Sequence, residues 1–159
     1  MVELTIKFIY DIVYAIMKAV FDTNILVAGL YSKRGASFHL IKAALAGELM
    51  FAISPLIAFE CEGVLHRKIE EGFLRVTKED CGAILSALFA FADIVWRPVQ
   101  MRPVLSDPAD DKILECAISG DCTHIVTFNK KHFRAALIAP WGIEAMTAGE
   151  FLRHWRSQP

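Results

Sequence analysis

The chain contains 159 residues with a net charge of −1, 55% hydrophobic residues and 22% charged residues. This composition excludes an intrinsically disordered protein, and the length is that of one domain with a substantial hydrophobic core. It also excludes a protein that is basic overall, so any binding of nucleic acid needs a local cluster of cationic side chains.

The four cysteines are too scattered for a structural zinc site, which needs closely paired thiolates or imidazoles. Cys61, Cys81, Cys116 and Cys122 form no CxxC pair. Buried free thiols are therefore expected, together with a cytoplasmic location, because the cytoplasm keeps thiols reduced.

The first sixteen residues are apolar but are interrupted by Glu3, Lys7 and Asp11. These charges are costly in a bilayer, and the segment lacks the basic start and cleavage site of a secretory leader, so no membrane association is expected. We interpret residues 1–16 as an N-terminal extension, either an extra packed element or the result of an upstream start with true initiation at Met17. Residues 17–156 form the predicted domain.

Strands and helices are predicted to alternate along the domain. In chain order, the hydrophobic patterns and capping residues predict a strand over 18–21, a helix over 37–45, a strand over 49–53, helices over 55–69 and 81–92, a strand over 93–96, a helix over 109–119, strands over 124–127 and 143–146, and a helix from Thr147 to Trp155. Such alternation predicts a three-layer α/β/α sandwich with a mostly parallel central sheet. Ligands of such sheets bind beyond the carboxyl ends of the strands.

Acidic residues recur where that edge of the sheet is expected. Asp22 follows the first strand, and Glu60 lies on the same helix face as Ile57 and Val64, where a carboxylate needs a partner or a metal. A third group, Asp107, Asp110 and Asp111, opens the helix over 109–119. A turn or the helix dipole would explain any one of these acids, but clustered carboxylates repel one another, and Mg²⁺ or Mn²⁺ is the usual remedy.

Five segments resemble the PIN-domain family, specifically the toxin components of toxin–antitoxin pairs. They are AVFDTNILVAGL (19–30), ISPLIAFECEGVL (53–65), DPADDKILECA (107–117), THIVTFNKKHF (123–133) and IEAMTAGEFL (143–152). The resemblance implies a ribonuclease that hydrolyses RNA phosphodiesters with Mg²⁺ or Mn²⁺, a cognate antitoxin protein as partner, and a homodimer.

The family's acidic positions fall on Asp22, Glu60 and Asp110, with Asp111 as the competing third ligand. Asn129 occupies the position of the usual fourth acid; it brings an amide oxygen but no charge, which favours one metal ion over two. The resemblance also implies that Glu60 holds the attacking water or takes its proton. Side chains expected to orient these ligands are Thr23, Asn24 and Thr127.

Lysine and arginine side chains near the expected crevice are candidates for RNA binding. Lys130 and Lys131 directly follow Asn129, and Lys33-Arg34 and His66-Arg67-Lys68 are further basic runs. The main alternative to a nuclease is a catalytically silent PIN-fold module that binds protein or RNA, which Asn129 favours. A phosphatase with an aspartate pair is disfavoured because residue 24 is Asn, and a P-loop enzyme is excluded because no GxxxxGK[ST] motif occurs.

Overall fold

The structure is a computed structural model that describes residues 1–5 and 17–158. Residues 2–5 are helical and exposed. Most of the predicted N-terminal extension, residues 6–16, lies outside the described residues, so its interpretation stays a prediction. Among the helices of the described ranges, none is long and apolar enough to cross a membrane.

A five-stranded sheet forms the centre of the fold, in the order β3-β2-β1-β4-β5, and every neighbouring pair is parallel. The strands are β1 (Lys18–Phe21), β2 (Met50–Ile53), β3 (Asp93–Ile94), β4 (His124–Val126) and β5 (Glu144–Met146). The residues of β1 and β4 are almost wholly buried, as expected for central strands covered on both faces.

Helices cover the two faces of the sheet. They are α1 (Thr23–Tyr31), α2 (Ala36–Leu45), α3 (Pro55–Glu70), α4 (Lys78–Phe91), α5 (Asp111–Ser119), α6 (Ala135–Ile138) and α7 (Ala148–Arg156). Helix α5 packs on β1, β2 and β4, whereas α1, α4 and α7 pack around α2. The predicted three-layer α/β/α sandwich is therefore confirmed.

Helix α1 is the main element that the sequence pattern does not predict. Its first residues look like a polar loop, but the chain turns directly from Asp22 into a helix that buries Ile25 and Leu26. Gly29 lets this helix approach α2 closely, because a Cβ at position 29 would lie only 2.3 Å from Cδ1 of Ile41. Tertiary packing, more than local propensity, thus holds α1 in place.

The sheet order places one particular crevice beside α1. The chain leaves β1 toward β2 on one side and later returns to β4 on the other, so the strand order reverses between β1 and β4. Phe21 pairs with Val126 in the ladder, and the next residues along each strand are Asp22 and Thr127. Ligand sites of open parallel sheets lie at such a reversal point.

Buried side chains of α5 anchor the long segment that leads into it. Glu115 is 1% exposed and accepts hydrogen bonds from the Arg102 guanidinium at 3.1 to 3.3 Å and from the Met101 backbone at 2.9 Å. A charged pair with this many hydrogen bonds offsets the cost of burying the carboxylate. The segment before α5 is consequently held against the helix that carries the third acidic group.

Candidate functional site

A cleft of about 440 Å³ opens beyond the carboxyl ends of β1 and β4. We call it the acidic cleft, because three carboxylates from distant parts of the chain line it: Asp22, Glu60 and Asp110. The other residues that line it are Thr23, Asn24, Val27, Ala28, Tyr31, Val64, Lys68, Phe73 and Asn129. The acids identified in the sequence therefore share one cavity.

Asp22 is the most enclosed of the three acids, with 7% of its surface exposed. One of its carboxylate oxygens, Oδ2, accepts a hydrogen bond of 2.7 Å from the Thr127 hydroxyl and one of 2.9 Å from the Asn24 amide. Thr127 is itself fully buried, and its hydroxyl also accepts the Asn129 backbone N–H at 3.0 Å. The carboxylate is consequently held in one orientation.

Electrostatic repulsion connects Asp22 to the other two acids. Burial raises the pKa of the Asp22 carboxyl above its ordinary value, and the hydrogen bond from Thr127 opposes this rise. The negative charges of Asp110 and Glu60 raise the same pKa further. Asp110 and Glu60 are therefore both close enough to act on Asp22 through space.

Glu60 reaches the cleft from the second turn of α3. Ser54 caps this helix by accepting the Ile57 backbone N–H, with Pro55 in the first helical position. The Oε1 atom of Glu60 accepts a hydrogen bond of 3.1 Å from the Thr23 hydroxyl, and Oε2 pairs with Lys112 Nζ at 2.6 Å. Glu60 is thus connected to both α1 and α5.

Asp110 ends the 3₁₀ turn Pro108–Asp110, directly before α5. Its Oδ2 atom lies 2.6 Å from Nδ1 of His132. Together with Asp107, these two residues offer ligand atoms that all lie within 4.8 Å of one another. Within residues 1–5 and 17–158, this is the group of three or more His, Cys, Asp or Glu side chains that meets this distance. A compact set of potential metal ligands therefore adjoins the acidic cleft.

Asp111 has a different position from Asp110, although the two are neighbours in sequence. It is 1% exposed, and its carboxylate accepts backbone N–H groups of Val104 and Leu105 at 2.8 to 3.3 Å. These hydrogen bonds hold the segment that precedes α5. Of the two alternative third ligands, the geometry thus favours Asp110.

The predicted RNA-binding cations Lys130, Lys131 and Arg34 are all exposed. Lys130 pairs with Glu150 at 2.9 Å and lines a separate groove beside β5. Asn129 lines the acidic cleft, and the role of the three cations in RNA binding stays a prediction.

The lining of the acidic cleft is rich in the oxygen donors that a hard divalent cation prefers, although Asp22 and Glu60 lie outside the compact ligand group of the described residues, which is Asp107, Asp110 and His132. Three carboxylates and the side chain of Asn129 supply oxygen ligands, the type that Mg²⁺ and Mn²⁺ prefer. The mutual repulsion at Asp22 is what a cation would relieve. The Lys112 ammonium, which pairs with Glu60, offsets part of that repulsion in the structure.

Sequence reasoning identified the acids but not the side chains that pair with them. Lys112 lies next to Asp111 in a helix, and His132 lies within the basic run after Asn129; neither shows a pattern that points to a carboxylate. Tyr31 and Phe73 also line the cleft and belong to no motif, and Lys68 lines it as the one member of the predicted basic run His66-Arg67-Lys68 in its lining. Only the folded arrangement brings these residues to the site.

The comparisons with known proteins agree with the geometry. A family model described as PIN domain matches residues 18–131, which include all the residues that line the acidic cleft. Neither the curated proteins nor the solved structures contain a significant match. PIN domains are generally nucleases that use divalent metals, and the fold, the match and the acidic cleft agree with that class. The chain belongs to the PIN-domain family.

Proposed function

We propose that the protein is an endoribonuclease that hydrolyses RNA phosphodiester bonds with Mg²⁺ or Mn²⁺. The observation that supports this most directly is the convergence of Asp22, Glu60 and Asp110 on one cleft, where the charges of the other two raise the pKa of Asp22. Such a cluster of carboxylates is expected where a protein binds a cation and uses it.

Asp22, Asp110 and the amide oxygen of Asn129 would hold the cation. When bound, it would supply positive charge against the non-bridging oxygens of the scissile phosphate and would acidify the attacking water. Glu60 would orient that water and accept its proton; its side chain lines the cleft and is 37% exposed, which supports this role. Thr127 and Asn24 keep Asp22 oriented through their hydrogen bonds.

We also propose that this nuclease is the toxin of a toxin–antitoxin pair, with a small antitoxin protein as its inhibitor. The resemblance of its five motifs to those toxins supports this assignment. An antitoxin segment with basic or aromatic side chains would complement the acidic cleft.

A homodimer is proposed on the same resemblance. Among the apolar side chains of α4, Leu85 and Leu88 are buried in the core, whereas Phe91 is 55% exposed. An apolar groove between α3 and α4 offers a further surface, on which Phe59 and Trp96 are more than 70% exposed.

The rival function is a catalytically silent PIN-fold module that binds protein or RNA. Two observations favour it: Asn129 replaces an acid, and Lys112 and His132 already pair with Glu60 and Asp110. A protein cation in place of a metal would give a stable cleft without hydrolysis.

Metal titration combined with RNA cleavage separates the two functions. Purified wild type, Asp22→Asn and Glu62→Gln would each be titrated with Mn²⁺ by calorimetry and incubated with RNA. Glu62 is the matched control because it is an exposed acid on the same helix as Glu60. We expect saturable Mn²⁺ binding and cleavage in wild type and Glu62→Gln, and neither in Asp22→Asn.

Induced expression of the same variants tests the toxin assignment. Growth arrest with RNA degradation in wild type, but not in Asp22→Asn, is expected. Metal binding that does not depend on Asp22, together with intact RNA, would favour the silent module. Cleavage in vitro without any effect on growth would support the nuclease function and contradict the toxin assignment.

A further inference from the structure

Two exposed aromatic rings lie stacked on each other at the rim of the acidic cleft. The rings of Tyr31 and Phe73 have centroids 4.6 Å apart and planes inclined by 14°. Tyr31 is 63% exposed and Phe73 is 45% exposed. We call this pair the aromatic ridge, and its exposed ring faces offer flat apolar surface beside a polar site.

The aromatic ridge separates the acidic cleft from a second groove of about 650 Å³. Both rings line both cavities. We call the second cavity the basic groove, because Lys33 and Arg75 are the charged residues of its lining: Leu30, Tyr31, Ser32, Lys33, Gly72, Phe73, Arg75 and Val76. A chain-like ligand could therefore run from the acids, over the rings, into the basic groove.

The charge changes sign across the aromatic ridge. Carboxylates lie on one side, whereas Lys33 and Arg75 on the other side are exposed and form no ion pair with a carboxylate of the described ranges. Lys68 lies at the ridge itself, with Nζ 5.5 Å from the centroid of the Phe73 ring and 2.7 Å from Glu71. A ligand that crosses the ridge thus meets cations on the side away from the acids.

Both rings are attached to the backbone at the end of a helix. Tyr31 is the last residue of α1, and Phe73 follows the end of α3. There Gly72 adopts a φ of +73° and donates its N–H to Ile69, while Phe73 donates to Lys68, both at 3.0 Å. This is the Schellman arrangement of a helix end, in which glycine takes the left-handed position.

We propose that the aromatic ridge and the basic groove bind the single-stranded segment of the nucleic-acid substrate next to the bond that is cut. An unpaired base stacks on the exposed face of Tyr31, and the neighbouring phosphates contact Lys33 and Arg75. This assignment rests on the proposed nuclease function. The proposed site would not bind duplex bases, which are already stacked on their neighbours. It would also not bind a basic peptide, which Lys33, Lys68 and Arg75 would repel.

Binding of labelled oligonucleotides in the non-cleaving Asp22→Asn background tests the proposal. Fluorescence anisotropy would compare single-stranded RNA, the same RNA as a duplex, and inorganic polyphosphate, which has the charge but no bases. The variants are Tyr31→Ala, Tyr31→Phe, Lys33→Gln and Arg75→Gln. Trp141→Ala is the matched control, because Trp141 is 47% exposed and lies in a different turn.

Tyr31→Ala should weaken the binding of single-stranded RNA about tenfold or more and leave polyphosphate binding unchanged, because only bases stack. Tyr31→Phe keeps the ring and should bind like the parent, which also shows that the site folds. Lys33→Gln and Arg75→Gln should each weaken the salt dependence of binding. The slope of the logarithm of the binding constant against the logarithm of the salt concentration should fall in magnitude by roughly one or less. Trp141→Ala should have no effect.

Unchanged affinity in Tyr31→Ala overturns the proposal, and so does an equal loss for RNA and polyphosphate. Tighter binding of a basic peptide than of RNA, lost in Tyr31→Ala, would also overturn it and assign the ridge to a protein partner. The nuclease function is decided separately, by Asp22-dependent cleavage in the otherwise unchanged chain. If RNA is cleaved but Tyr31→Ala binds it normally, only the nuclease proposal stands. If RNA binding depends on Tyr31 but no cleavage occurs, only the proposal for the aromatic ridge stands.

Discussion

Thr127 donates a hydrogen bond of 2.7 Å to Asp22, and the two residues follow neighbouring strands in register. Replacing Thr127 by Val removes this donor while keeping the shape of the side chain. We expect Mn²⁺ affinity and RNA cleavage to fall roughly 10- to 100-fold, the usual effect of losing a residue that orients a metal ligand. Calorimetry and a cleavage assay would measure the two quantities.

Thr127→Ser is the control for that change, because it restores the hydroxyl. It should recover most of the activity of the wild type. If Thr127→Val and Thr127→Ser lose activity equally, the methyl group and its packing matter, and the hydrogen bond does not.

Replacement by Asn should reduce mainly stability at position 111 and mainly RNA cleavage at position 110. Asp111→Asn disturbs buried hydrogen bonds to Val104 and Leu105 and should lower the free energy of unfolding by about 1–3 kcal/mol. Asp110→Asn should change stability much less and should abolish cleavage. Urea denaturation and the cleavage assay together distinguish the two, and a stable but inactive Asp111→Asn would reverse the assignment.

Two glycines, one inside α3 and one just after its end, offer a matched test of the backbone conformation at the helix end. Gly72 has a φ of +73°, so Gly72→Ala should destabilise the fold by about 1–2 kcal/mol even though a Cβ there meets no atom within 4 Å. Gly63 lies inside α3 with equally open surroundings, and Gly63→Ala should stabilise the helix by roughly 0.5–1 kcal/mol. Chemical denaturation measures both, and equal signs for the two variants would contradict the observed helix end.

Stability should fall in mild acid because of His124. Burial, and secondarily the nearby His154, lower the pKa of His124 below its ordinary value, with Glu144 acting in the opposite direction. The unfolded chain therefore takes up the proton more readily, so the stabilising contribution is present above the ordinary pKa and is lost as the pH falls below it. Urea unfolding between about pH 7 and pH 5 should show a steeper loss for wild type than for His124→Gln. Parallel curves would exclude this residue.

The order of strands and helices could be predicted from the sequence because each buried strand is a short apolar run with a polar end. The positions of Asp22 and Glu60 followed from that order, since one ends a strand and the other shares a buried helix face. Helix α1 could not be predicted in this way. It depends on the close contact of Gly29 with Ile41 in α2, which no local pattern reveals.

The choice between Asp110 and Asp111 also lay beyond the sequence. Asp110 ends the 3₁₀ turn and lines the cleft, whereas Asp111 begins α5 and accepts hydrogen bonds from the preceding segment. The pairs of Glu60 with Lys112 and of Asp110 with His132 join separate elements without any periodic relation. Only the packing of α3 and of the turn Pro108–Asp110 on α5, together with the position of His132 beside that turn, creates them.

Helix α1 joins an acid at its beginning to a ring at its end. From Asp22 to Tyr31 the rise is roughly 13 Å along the axis, at 1.5 Å per residue. Because this span is rigid, α1 would keep a fixed distance between the acid and a base that stacks on the tyrosine. Scission would then fall at a constant number of nucleotides from the stacked base, independent of the surrounding RNA sequence.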